Sequence, residues 1–293
     1  MGKGLITCLI AGQYTIYDLD DKTTSIAKPR GIFRIKGVSP KVGDFVEYSK
    51  NAGDATITKI EKRTTDLVRP AICNISLAFV VFSVKEPELN LNLLDRFITI
   101  LEFYRITPIL VFNKWDLLNT DSEINEVTKV IDYYKHIGYT TIITSAKDNL
   151  LNELSDHMKN NISVITGQSG VGKSSLLNII DPELEIKTND ISKALNRGKH
   201  TTRHVELLPI NNGWVADTPG FGTMEFIDMN EVDISHSFIE FFEHSSSCKY
   251  NGCLHINEPH CKIKGLVNDS EILKSRYENY LQFVEEVKNK RKW

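Results

Sequence analysis

No apolar run in the chain is long enough to cross a bilayer as a helix. The longest, Ile75 to Val84, spans ten residues, about half of the ~20 that a helical span requires. Low-complexity tracts, a collagen-like glycine period and a disordered acidic tail are also absent. Nine prolines and 17 glycines in 293 residues are an ordinary share for a globular protein. Three of the five cysteines fall within fourteen residues, which reads as metal ligation more readily than as a disulfide framework, and a chain of this length buries a core without one. Leu5 to Ala11 is apolar enough for a short leader. It lacks a clear cleavage site and runs on into the alternation of Tyr14 and Ile16, so it reads as a strand. The expectation is a cytoplasmic protein of two or three domains, with no membrane partner and monomeric.

Charge of one sign is scarce overall, at net −3, but it is unevenly placed. Residues 1–68 carry 11 basic and 8 acidic side chains, and residues 262–293 carry 8 and 5, so each end is net +3. The remaining centre, 69–261, has 16 basic and 25 acidic side chains, net −9. Basic ends flanking an acidic centre would meet a polyanion first, although solvated surface charge gives the same pattern.

Three pieces emerge along the chain. Residues 1–68 hold short β-type runs (Leu5–Ile10, Gln13–Tyr17, Ile32–Ile35, Phe45–Tyr48, Thr56–Ile60) separated by Gly, Pro and Asp. Five strands in so short a stretch fit an OB-fold barrel. Between Lys22 and Lys41 lie six basic residues and no acid, with Phe33 inside the run. This suits phosphate contact plus base stacking, or simply a solvated face. Residues 69–230 alternate buried-type strands (Ile75–Val84, Ile109–Asn113, Ile142–Ser145, Ser163–Thr166) with helical patterns (Leu91–Tyr104, Glu123–His136, Asn149–Met158). That order implies a doubly wound parallel α/β sheet. Residues 231–293 hold a cysteine cluster, a helix near Phe238–Phe242, a closing helix over Ser270–Lys290 and a basic tail.

The α/β piece carries the chemistry. Gly167-Gln168-Ser169-Gly170-Val171-Gly172-Lys173-Ser174 matches G-x-x-x-x-G-K-[ST] after a strand ending at Thr166. Such a loop turns backbone N–H groups and a helix N-terminus toward phosphate. Lys173 would reach the β- and γ-phosphates and Ser174 would ligate Mg²⁺. Asp217-Thr218-Pro219-Gly220 follows the strand Trp214–Ala216. There Asp217 can hold Mg²⁺ through water, and the Gly220 amide can meet the γ-phosphate. Asn113-Lys114-Trp115-Asp116 ends another strand, where a carboxylate at Asp116 can accept from guanine N1–H and the 2-amino group together. Ser145-Ala146-Lys147 follows the next strand and would complete the base pocket.

The order of these strings is permuted. The base-reading motifs at 113–116 and 145–147 precede the P-loop at 167–174, and D-T-P-G follows. Circular permutation is tolerated because domain termini lie at the surface and often close together. Beyond the switch, Cys248-x4-Cys253-x-His255-x5-Cys261 offers three thiolates and an imidazole, a closed tetrahedral set suited to one structural Zn²⁺. His260 competes with His255 for the fourth place. Cys8 and Cys73 sit in apolar contexts and read as buried thiols.

Permuted motif order and cysteine spacing together resemble the ribosome small subunit-dependent GTPase A family (RsgA, also called YjeQ or YloQ), over nearly the whole chain. The resemblance implies an OB-fold domain at 1–68, a circularly permuted P-loop GTPase domain at 69–230 and a zinc-binding domain at 231–293. It also implies a GTP hydrolase that binds the small ribosomal subunit and its RNA late in maturation, cycling between GTP and GDP. The Gln that positions water in many GTPases has no counterpart in Phe221-Gly222-Thr223. The family instead places a histidine in the first switch, which here is His200 in Gly198-Lys199-His200-Thr201-Thr202. Thr202 carries over as the switch threonine facing Mg²⁺, with Thr201 as the alternative because Arg203 departs from the pattern. Two rival readings are an RNA-binding module that uses nucleotide only as a latch, and an ATP-dependent P-loop kinase. Asn113 and Asp116 weigh against the kinase.

Overall fold

The computed structural model describes residues 1–35, 37–50, 55–68, 70–145, 152–182, 205–217 and 225–290. In chain order the elements are β1 (Gly2–Ile10), β2 (Gln13–Asp18), β3 (Thr24–Pro29), α1 (Gly31–Ile35), β4 (Phe45–Lys50), β5 (Ala55–Ile60), β6 (Leu77–Ser83), α2 (Leu91–Phe103), β7 (Thr107–Asn113), α3 (Asp121–His136) and β8 (Thr140–Ile143). They continue with α4 (Asn152–Met158), β9 (Ile162–Thr166), α5 (Lys173–Ile180), β10 (Glu206–Ile210), β11 (Gly213–Asp217), α6 (Glu231–His236), α7 (Ile239–Ser245), α8 (Lys262–Asn268) and α9 (Lys274–Lys290). The chain packs as two compact units. One is Met1–Ala78 with Leu151–Ser169 and Lys173–Gly222, and the other is Phe79–Leu150 with Gly170–Gly172 and Thr223–Trp293.

In the first unit β1 pairs antiparallel with both β2 and β4, β2 pairs with β3, β3 runs parallel to β5, and β5 pairs back onto β4. This closes a five-stranded, OB-like barrel and removes its free edges. Alternation sets the inward faces: Tyr14, Ile16 and Asp18 of β2 are buried while their neighbours are not. The register of β1 shifts between Ile6 and Cys8. Its first half, Gly2–Leu5, pairs with β4, and Cys8 is registered with Glu206 of β10. β10 forms a hairpin with β11, which lies parallel to β9, the strand leading into the P-loop.

One expected strand is corrected. Ile32–Ile35 lies within a short helix, α1, and the fifth barrel strand is Thr24–Pro29. The apolar string misled because Ile32 and Ile35 point to solvent, 49% and 85% exposed. The real strand buries only Ala27 and leaves its isoleucine, Ile26, 53% exposed, so its pattern carries no alternation signal.

In the second unit β6, β7 and β8 are neighbours, and β7 and β8 are parallel. Their near-continuous burial fits strands covered on both faces. α2 begins where the Asn90 side chain accepts from Leu93 N–H, and α3 begins at a capping box between Thr120 and Glu123. α6 to α9 share an apolar core with α2: Ile100 packs with Phe226, Met229, Phe238, Phe241, Tyr280 and Phe283. Within this unit Arg276 of α9, 1% exposed, donates to Asp95 of α2 at 2.5 Å and to both carboxylate oxygens of Glu240 in α7. Tyr134 and Asn279 also donate to Asp95, at 2.6 and 2.7 Å. Among the described residues no helix is long and apolar enough to cross a membrane.

Candidate nucleotide site and metal centre

β7 ends at Asn113, which is 1% exposed. Its carboxamide donates to the Val171 carbonyl at 2.8 Å and accepts from the Thr144 hydroxyl at 3.0 Å. The central residues of the P-loop, Gly170–Gly172, therefore pack in the same unit as the base-reading strings. Gly172 is obligatory there. Its φ is +97°, and a Cβ would stand 2.5 Å from Asn113 Nδ2. Lys114 takes φ +63° to turn out of the strand, and its ammonium donates to the Glu86 carbonyl. Trp115–Leu117 form one 3₁₀ turn that presents Asp116, whose carboxylate accepts from the Ser145 hydroxyl at 2.8 Å. A carboxylate held by a hydroxyl beside a strand end is fixed in place to accept a donor edge of a base.

In the first unit β9 ends at buried Thr166, and α5 starts at Lys173. Lys173 Nζ donates to the carbonyls of Gly167 and Gln168, at 2.9 and 2.6 Å. Burial lowers its pKa, so its charge is under-solvated and would gain from an anion beside the loop. Ser169 and Ser174 flank this turn. The backbone of Asp217 closes β11, while its side chain lies outside the described set. Ala146, Lys147, His200, Thr201, Thr202 and Gly220 also lie outside the described residues.

Cys248, Cys253, His255 and Cys261 bring one ligand atom each to within 4.8 Å of one another. His260 is not in this group. The Sγ atoms of Cys248 and Cys261 are 3.9 Å apart, close to the ~3.8 Å edge of a tetrahedron with 2.3 Å metal–sulfur bonds. His255 Nδ1 lies 3.6 Å from Cys248 Sγ and 3.3 Å from Cys261 Sγ. Burial pushes the Cys253 thiol up to about 12 and raises Cys261 as well, and it lowers His255. Thiolates at this depth need a cation among them, and the donors fit one.

Sequence reasoning missed the residues that hold this cluster. Glu258 accepts from the N–H groups of Leu254 and Ile256, each at 2.8 Å. Burial of its carboxyl opposes ionisation, but these and neighbouring amides outweigh that and lower its pKa. The Tyr277 hydroxyl donates to the His255 carbonyl at 2.6 Å, and that of Tyr280 donates to the Leu254 carbonyl. Only the loop's short spacing hinted at Glu258. The tyrosines lie on α9, over twenty residues away.

A permuted P-loop framework with N-K-x-D at the end of β7 defines a guanine-nucleotide-binding protein of the GTPase class. Residues 60–227 match the family model for the RsgA GTPase, and residues 3–57 match the RsgA N-terminal domain. A small ribosomal subunit biogenesis GTPase RsgA of Bacillus subtilis is 42% identical over 295 residues, covering 99% of each chain. One of the same description from Shouchella clausii is 44% identical, covering 100% of this chain and 99% of its own. The crystal structure of YloQ, described as a circularly permuted GTPase, superposes with TM-score 0.86 at 38% identity, covering 99% of this chain and 96% of that one. YjeQ from Thermotoga maritima gives 0.86 at 32% identity, covering 98% of each chain. The chain belongs to the RsgA GTPase family.

Proposed function

We propose that this GTPase hydrolyses GTP on the small ribosomal subunit during late subunit maturation, as a cytoplasmic monomer that contacts ribosomal RNA. The pairing of Asn113 with Val171 carries the reading, because it ties base recognition to the phosphate loop. Relatives named for small ribosomal subunit biogenesis match along the whole chain and supply the target.

In this reading 1–68 docks on RNA, 69–230 binds nucleotide and 231–293 is the metal-bearing part. Asn113, Lys114, Trp115 and Asp116 bind guanine together with Ser145, Ala146 and Lys147. The phosphates lie along Thr166 to Ser174, with Asp217 and Gly220 at the γ-position. Lys173 and the loop amides stabilise charge as it develops on the γ-phosphoryl oxygens. His200 orients the attacking water in line with the bond to be broken. Ser174 and Thr202 would hold Mg²⁺, which when bound neutralises phosphate charge. Cys248, Cys253, His255 and Cys261 would hold one Zn²⁺ with a structural role.

The test is GTP turnover measured alone, with isolated small subunits and with large subunits. Stimulation by small subunits only is expected. Slow turnover unchanged by either subunit would instead leave an RNA-binding module with a nucleotide latch.

A further inference from the structure

We infer that Glu258 is the residue that positions His255 for metal binding, an inference that rests on the metal reading of the cysteine cluster. His255 is fully buried and sits at φ +59°, a left-handed conformation uncommon for a residue bearing a Cβ. Support comes from both sides of its backbone. Glu258 spans the residue, one carboxylate oxygen taking the N–H before it and the other the N–H after it, both at 2.8 Å. The carbonyl of His255 accepts from Tyr277 at 2.6 Å, and the carbonyl of Leu254 accepts from Tyr280. Lys264, on α8, donates to the carbonyls of Ile256 and Glu258 at 3.3 and 3.2 Å.

The polar backbone around His255 is thus fixed by side chains that are not themselves among the four donors. The imidazole is turned so that Nδ1 faces the two thiols, while Nε2 is buried with no partner among the described residues. Metal-binding histidines are commonly aimed through a bond to their second ring nitrogen. Here Nε2 has no such partner among the described residues, and the aim comes from the backbone, where Glu258 holds the two amides flanking His255. Because both of its oxygens are engaged by N–H groups, Glu258 is a positioning residue and not a fifth ligand.

Glutamine tests this with little change of shape. Its side chain has one acceptor oxygen, and its NH₂ would face the second N–H donor. In the full chain, Zn²⁺ affinity is measured by competition with a chromophoric chelator, and Co²⁺ substitution reports the ligand set through its d–d absorption. Glu258→Gln should weaken Zn²⁺ by about 10- to 100-fold, the range typical of partners that orient metal ligands. Its Co²⁺ spectrum should move toward that of His255→Ala, which a general loss of stability would not produce. Parental affinity with a parental Co²⁺ spectrum overturns the inference. Should Glu258→Gln fail to fold by circular dichroism, Glu258→Asp carries the test. Its shorter stem keeps the charge but withdraws the carboxylate from the Leu254 and Ile256 N–H groups, and a several-fold loss of Zn²⁺ affinity supports the inference while parental affinity overturns it. A parental chain that binds no zinc overturns the metal reading itself, and this inference with it.

Discussion

Asn113 Nδ2 donates to the carbonyl of Val171 at 2.8 Å, with both residues buried. A side chain from the end of one strand thereby fixes the crest of a loop 58 residues further on. The residue that begins the base-reading string thus also shapes the phosphate cradle.

Asn113→Ala should therefore weaken GTP and GDP alike. It strands the Val171 carbonyl and the Thr144 hydroxyl, and each buried unpaired group costs about 1–3 kcal/mol. Titration with a fluorescent guanine nucleotide should show a loss of about tenfold or more, with a lower melting temperature.

Asp116→Asn should exchange base preference. A carboxamide cannot accept from both guanine donors, but its NH₂ can donate to the C2 carbonyl of xanthine. Competition binding should show weaker GTP and stronger xanthosine triphosphate, and unchanged GTP affinity would take Asp116 out of the site.

His200→Ala should leave GTP affinity close to parental and remove most subunit-stimulated turnover, because orienting water acts in the transition state. Single-turnover assays with small subunits separate the two effects.

Arg276→Met should lower stability by about 3–5 kcal/mol, since it leaves Asp95 and Glu240 buried without their cation. Burial already raises the pKa of Asp95 against the opposing charge of Arg276. The folded state therefore binds this proton more tightly than the unfolded chain does. That contribution is complete below about pH 4, the ordinary Asp value, and is lost as pH rises through the raised one. Without Arg276 the value rises further, so the variant's deficit should shrink on acidification. Urea melts at pH 5 and pH 8 measure this.

Cys253→Ser should lower bound zinc from one per chain and reduce small-subunit binding, with little change in GTP affinity. Elemental analysis and nucleotide titration check the two halves. On the reading that the basic 22–41 and 288–292 segments meet phosphate, subunit binding should also weaken with salt, because such contacts release counterions.

What was legible in the sequence is what chemistry concentrates in short strings. The P-loop, N-K-W-D and the Cys/His spacing each bring their donors close by chain geometry alone. The barrel's strand count was legible too, but Thr24–Pro29 was not, because a strand that buries one alanine looks like a loop. Arg276 was illegible for a related reason. Among the lysines and glutamates of α9 it reads as one more solvated charge, and only the approach of α2 and α7 gives it two acids. Glu258, Tyr277 and Tyr280 act on backbone atoms, which leave no side-chain pattern to read.

The shift of register in β1 has a mechanical meaning. Both halves of the strand pair with β2, and beyond the shift Cys8 also lies beside Glu206, the first residue of β10. Glu206 comes six residues after His200 in the chain. One β-strand is therefore shared by the barrel and by the hairpin of β10 and β11. The two are joined through backbone pairing, so a displacement of β10 bears directly on the end of β1. Amide exchange at Leu9 and Ile10, measured with GDP and with a non-hydrolysable GTP analogue, then tests whether β10 moves with the nucleotide.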